Sequence, residues 1–217
     1  MKRFWSTTHI AMLAALCFVS ISCRSTYYAA WEKFGKYKRD LLKDNVKAAR
    51  DNQKAATEQF KDALTRMKEL YGFEGGDLEK TYRRLQAEYD RCVAKADAVK
   101  SRIQKVEQIS SDLFKEWEGE IQSMANEKLA ARSLEQLQET RSRYQSLHTT
   151  MKRAESSMEP VLRQFHDQVL FLKHNLNAQA VGALKKETLD IEKEIQQLIR
   201  DLNASILAAD DFIKGMQ

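Results

Sequence analysis

Stepping alternately by four and three residues from Leu78 touches Tyr82, Leu85, Tyr89, Cys92, Ala96, Val99, Ile103, Val106, Ser110, Leu113, Trp117, Glu120 and Met124. Only Ser110 and Glu120 interrupt this apolar series, and its phase never slips. A 3.5-residue period held over roughly seven heptads marks a helix whose stripe packs on other helices. A strand would need a period of two. Ile109, Phe114 and Ile121 widen the stripe beyond a two-stranded seam, as a bundle requires.

The same spacing recurs upstream in Leu42, Val46, Ala49, Gln53, Ala56, Phe60, Ala63, Met67 and Leu70, where the alanines imply close helix approach. Between the two runs lies Gly72-Phe73-Glu74-Gly75-Gly76-Asp77. Glycines accept the left-handed backbone after a helix end, and Asp77 can cap the next helix. The two runs therefore form an antiparallel hairpin, with Phe73 at its tip expected to plug the bundle end, an exposed contact being the alternative. A second reversal is expected near Asn126, where the apolar pattern slips. The third helix carries Leu134, Leu137, Tyr144, Leu147, Met151, Ala154 and Met158, then meets Pro160. Proline costs ~3 kcal/mol inside a helix but is tolerated in a first turn. Ser156 or Ser157 is expected to cap a restart there, giving a kink without a domain boundary. Residues 161–176 are apolar almost all round and read as enclosed core, with a partner surface as the alternative. Asn175-Leu176-Asn177 reads as a third reversal. The last helix aligns Leu184, Ile191, Ile195, Leu198, Leu202, Ala209, Phe212 and Met216, with Leu189, Ile199, Ile206 and Ile213 alongside.

One Pro and seven Gly in 217 residues leave few places to turn. The fold class is all-α: an elongated antiparallel bundle of about four long coiled-coil-like helices in one domain over residues 23–217. Helices of about 45 residues are each ~68 Å long. A thinner hairpin assembly that completes its core by dimerising is the alternative.

The amino terminus reads as an address. Lys2 and Arg3 precede an apolar run over residues 10–21, which is too short to span a ~30 Å hydrocarbon core comfortably but suits a signal peptide. Ser20-Ile21-Ser22-Cys23 follows, and it resembles a bacterial lipoprotein signal over residues 1–22, with Cys23 as the lipidated first residue. Ser20 departs from the usual Leu, Val or Ile. The resemblance implies attachment to a membrane through Cys23. Arg24, rather than Asp, after the cysteine implies the outer membrane and a periplasm-facing chain. The rival readings are a non-lipidated signal and an uncleaved anchor helix. Cys17 would leave with the signal, so Cys92 is the one thiol left, and its seam position marks it as a small core residue.

Gly72-Phe73-Glu74-Gly75-Gly76-Asp77-Leu78-Glu79, together with Met158-Glu159-Pro160-Val161-Leu162 and the run from Asp167 through Ala178, resembles a bacterial envelope family catalogued as domain of unknown function 2959. Tyr27-Tyr28, Glu32-Lys33 and Lys38-Arg39-Asp40 fit its start. The resemblance implies a lipoprotein of helical, coiled-coil character and brings no catalytic residues.

The residues themselves supply no catalytic, cofactor or metal motif. His166 and His174 are eight apart, whereas helical metal pairs use three or four. No Gly-x-Ser-x-Gly elbow exists. The net charge of +5 falls to +3 without Lys2 and Arg3, and basic and acidic residues alternate, which is no nucleic-acid footprint. A polar group, Lys173, His174, Asn175 and Asn177, stands out as a candidate interaction patch, though asparagines there also serve to end helices. The aromatic cluster Tyr27, Tyr28, Trp31, Phe34 and Tyr37 suits either a membrane interface or the bundle end. The expected function is a non-enzymatic, lipid-anchored envelope spacer or protein-interaction rod with a protein partner or self-association. The alternative is a binding module holding a small ligand, lipid or ion near residues 161–177.

Overall fold

The computed structural model describes residues 27–29, 31, 35–71 and 77–216. The signal segment, Cys23, Phe34 and Phe73 lie outside the described residues. Four long helices follow in order: α1 (Lys38–Tyr71), α2 (Leu78–Ser123), α3 (Glu127–His174) and α4 (Ala178–Gly215). No strand occurs among the described residues. Three helices start on side chains that the sequence marked at the reversals. Asp77 accepts from the Lys80 N–H, Asn126 from Leu129 and Asn177 from Ala180. Each satisfies a donor that the helix itself leaves unpaired.

The helices pack as a ring: α1 on α2 and α4, and α3 on the same two. That is the antiparallel four-helix bundle required by short connections. The predicted seams are its core. Leu42, Val46, Phe60 and Met67 of α1 are buried with Val99, Ile103 and Val106 of α2, Met151 and Phe165 of α3, and Ile195 and Leu202 of α4. Cys92 joins them, and burial pushes its thiol up to about 12. In the window after Pro160, Val161, Phe165, Val169 and Leu172 are core, while Leu170, Phe171 and Leu176 face solvent. One face of that stretch is thus enclosed and the other open.

Two polar seam residues are accommodated locally. Gln53 Nε2 donates to Ser205 Oγ across the α1–α4 interface at 2.8 Å, while its Oε1 has no hydrogen-bond partner. Buried Asp201 accepts from Ser157 at 2.7 Å and from Gln197 at 3.2 Å, and pairs with Arg153 at 3.1 Å, clamping α3 to α4.

Three expectations are corrected. The helices are not of equal length: α2 and α3 have 46 and 48 residues, α1 and α4 only 34 and 38. Leu134 is therefore not a core residue. It is 43% exposed, because α1 and α4 stop short of it. Finally, α3 does not restart at Pro160 but runs through it. Ser156 and Ser157 cap nothing: the Ser156 hydroxyl donates backward to the Lys152 carbonyl, and the Ser157 hydroxyl, which donates to Asp201, lies 3.0 Å from the Arg153 carbonyl. Proline still removes the N–H that would meet the Ser156 carbonyl. Buried Met158 and Val161 on either side hold the helix against the core through that gap.

Candidate functional site

The candidate patch after α3 is mostly occupied with ending helices. Asn175 Nδ2 donates to the Phe171 carbonyl at 2.9 Å, and Asn177 caps α4. Lys173 and His174 are exposed in the last turn of α3, where cations complement the helix dipole. Beside them an open cleft of about 440 Å³ is lined by Gln164, Asp167, Gln168, Phe171, Leu184 and Asp190. The buried positions of the same window are filled by their own side chains, so a ligand there would sit in this outer cleft. Of the other histidines, His166 packs on the Tyr89 ring, with ring centroids 5.2 Å apart. His148 stacks on Tyr144, and its Nε2 lies 2.7 Å from Glu107 Oε1. No group of three or more His, Cys, Asp or Glu that could hold a metal occurs among the described residues.

The amino-terminal aromatics lie on the bundle rather than apart from it. Tyr28 is buried and donates its hydroxyl to Asp112 of α2, with the Lys38 ammonium over its ring. Trp31 packs against the core. Tyr27 stands edge-on to both rings, beneath Lys105. Gly35, at φ +73°, takes the left-handed backbone that turns the chain into α1, and the Lys36 N–H closes onto the Trp31 carbonyl at 3.1 Å. Tyr37 remains exposed.

At the same end of the molecule the α2–α3 hairpin overshoots its neighbours. The difference of 46 residues against 34, and 48 against 38, corresponds to ~15–18 Å of hairpin beyond the ends of α1 and α4. It is held internally by Trp117 Nε1 donating to Ser133 Oγ and by the Arg141–Glu118 pair, each at 2.8 Å. Met124, Leu129 and Leu134 are 40%, 55% and 43% exposed there.

The family described as protein of unknown function (DUF2959) matches residues 27–216. The chain belongs to that family. The DUF2959 region begins at Tyr27, where the described structure begins, and takes in all four helices. No curated protein and no solved structure matches the chain.

One feature of this DUF2959 bundle escaped the sequence reading. Lys80, Arg83, Arg84, Ala87 and Arg91 line a groove on α2, next to Arg66 from α1. The signal was present in the sequence: Lys80, Arg84, Ala87 and Arg91 step by four, three and four, a basic lane flanking the apolar seam. Interspersed acidic residues hid it, and Arg66 enters only through the hairpin. Glu88, 7% exposed, forms the floor. Burial pushes its carboxyl up, but hydrogen bonds from Arg91 and Gln59 and the charges of Arg91 and Arg66 bring it below its usual value.

Proposed function

We propose that this DUF2959 chain is a non-enzymatic, lipid-anchored protein of the bacterial envelope, facing the periplasm from the outer membrane, which works as a spacer and interaction rod. The observation that carries this reading is where the amino terminus is tied down. Tyr28 and Trp31 are fastened to the flank of the bundle near Asp112. Tyr28 lies five positions after Cys23, a reach of at most ~18 Å. From Asp112 back to Leu78, α2 extends ~50 Å. A lipid on Cys23 would thus hold one end of a filled, continuous bundle near the membrane. The far ends of α1 and α3 would stand roughly 50 Å further out. No helix among the described residues is long and apolar enough to cross a membrane.

Fractionation of a Cys23→Ser variant, with metabolic labelling by an alkyne fatty acid, tests the tether. The wild type should carry label and sediment with membranes, and the variant should do neither. An unlabelled wild type and unchanged retention would reject the lipid and favour an uncleaved helix. Photo-crosslinkers at Leu129 and Leu176, at the two ends, test the rod: specific protein adducts are expected. A small molecule that survives native mass spectrometry, without such adducts, would instead favour a ligand in the cleft beside residues 161–177.

A further inference from the structure

We propose that the groove between α1 and α2 is a binding site for a phosphoryl group, held by Arg66, Lys80, Arg84 and Arg91. The proposal goes beyond the spacer reading and does not depend on it. The open groove of about 650 Å³ is lined by four arginines and one lysine together with Ala87 and Glu88. A smaller cavity of about 200 Å³ adjoins it and shares Arg66 and Arg84.

The charges do not balance locally. Arg66 is paired with Glu69, Arg83 with Glu79 and Arg91 with Glu88. Lys80 and Arg84 pair with no carboxylate among the described residues. With Asp62, whose charge also reaches Arg66, five cations therefore face four carboxylates among the described residues. Glu88 is buried beneath the groove and held by Arg91 and Gln59, so it fixes the Arg91 fork without filling the space above it. Arg66 and Arg91 are close enough to repel each other across the opening. Like charges crowded around an open, half-apolar groove are a cost in the empty protein that an anion removes.

Geometry selects among anions. The cationic residues line two walls, Arg66 on α1 and Lys80, Arg84 and Arg91 on α2. A carboxylate presents two oxygens in one plane, whereas a tetrahedral phosphoryl group presents three outward, so it can meet both walls together. Guanidinium forks suit such oxygens, and the lysine adds a mobile point charge. The phosphoryl group would come either from a free phosphorylated small molecule or from a lipid headgroup.

The test uses the full chain in an uncharged detergent at constant ionic strength, because unspecific attraction to a basic surface is screened by salt. Inorganic pyrophosphate and soluble dihexanoyl phosphatidic acid are titrated separately by calorimetry. At least one is expected to bind saturably. A double variant, Lys80→Glu with Arg84→Glu, should weaken that binding by about tenfold or more. Arg163→Glu, an exposed change on α3, should leave it unaltered. Both variants should melt like the wild type, since Lys80 and Arg84 pair with no carboxylate among the described residues and Arg163 holds only an exposed pair with Glu159. Tighter pyrophosphate binding assigns the site to free phosphates, and tighter phosphatidic acid binding assigns it to headgroups. Absence of saturable binding by either compound, or equal binding by the double variant, overturns the proposal.

Discussion

Cys92 and Val169 show what the core asks of single residues. The Cys92 thiol is buried against α1, with Sγ 3.8 Å from the Gln59 carbonyl. Burial raises its pKa from 9.0 to about 12. A group with a raised folded pKa contributes stability that is whole below the unfolded value and is lost as pH rises towards the folded one. The wild type should therefore lose melting temperature between pH 9 and pH 12 more steeply than Cys92→Ala. Parallel curves would mean that the thiol ionises as readily in the bundle as outside it. Val169 is 1% exposed and sits between Phe165 and Leu172 on the α3 seam. Val169→Asp would bury a carboxylate at a cost of several kcal/mol. That corresponds to a melting point lower by about 10 °C in a domain of this size. A variant that melts like the wild type would transfer this position from the core to a partner surface.

Among the elements, α3 carries the sharpest contrast. Its first turns lie on the overshooting hairpin, and its later turns bury one face against α2 and α4. Leu134 and Leu137 are three residues apart on one heptad seam, yet Leu134 is largely exposed and Leu137 is buried. Leu134→Ala should change stability by less than about 1 kcal/mol, as surface substitutions do. Leu137→Ala should cost about 2–5 kcal/mol, as core truncations do. Denaturant titration of both variants reads the boundary directly, and equal losses would show that the hairpin tip is covered after all. The seam alone could not supply this distinction. A heptad states which face of a helix is apolar, whereas cover depends on how far the neighbouring helices extend.

At the scale of the whole molecule, the bundle closes its core with its own four helices, each touching two neighbours. The dimer-completed hairpin considered from the sequence is therefore unnecessary for burial. The melting temperature in mild detergent should stay constant over a hundredfold range of protein concentration, since mass action enters only when folding and association are coupled. A rise with concentration would show that a second copy finishes the fold. The molecule is also polarised lengthwise. Tyr28, Trp31 and the overshooting hairpin occupy one end, and the basic groove lies beside the α1–α2 connection at the other.

The four helices, their three reversals and nearly every core position were legible in the sequence. Each rests on interactions within a few residues: heptad phase and a capping Asp77, Asn126 or Asn177. The polar group at Lys173, His174, Asn175 and Asn177 was equally visible, but its asparagines prove to serve the helix ends. Tertiary structure alone decided which stretches lack cover, why Leu134 is exposed and how α3 passes Pro160. It also decided that Arg66 joins Lys80, Arg84 and Arg91. Periodicity reports the face a residue occupies on its own helix, whereas those outcomes depend on the length and register of the helices beside it.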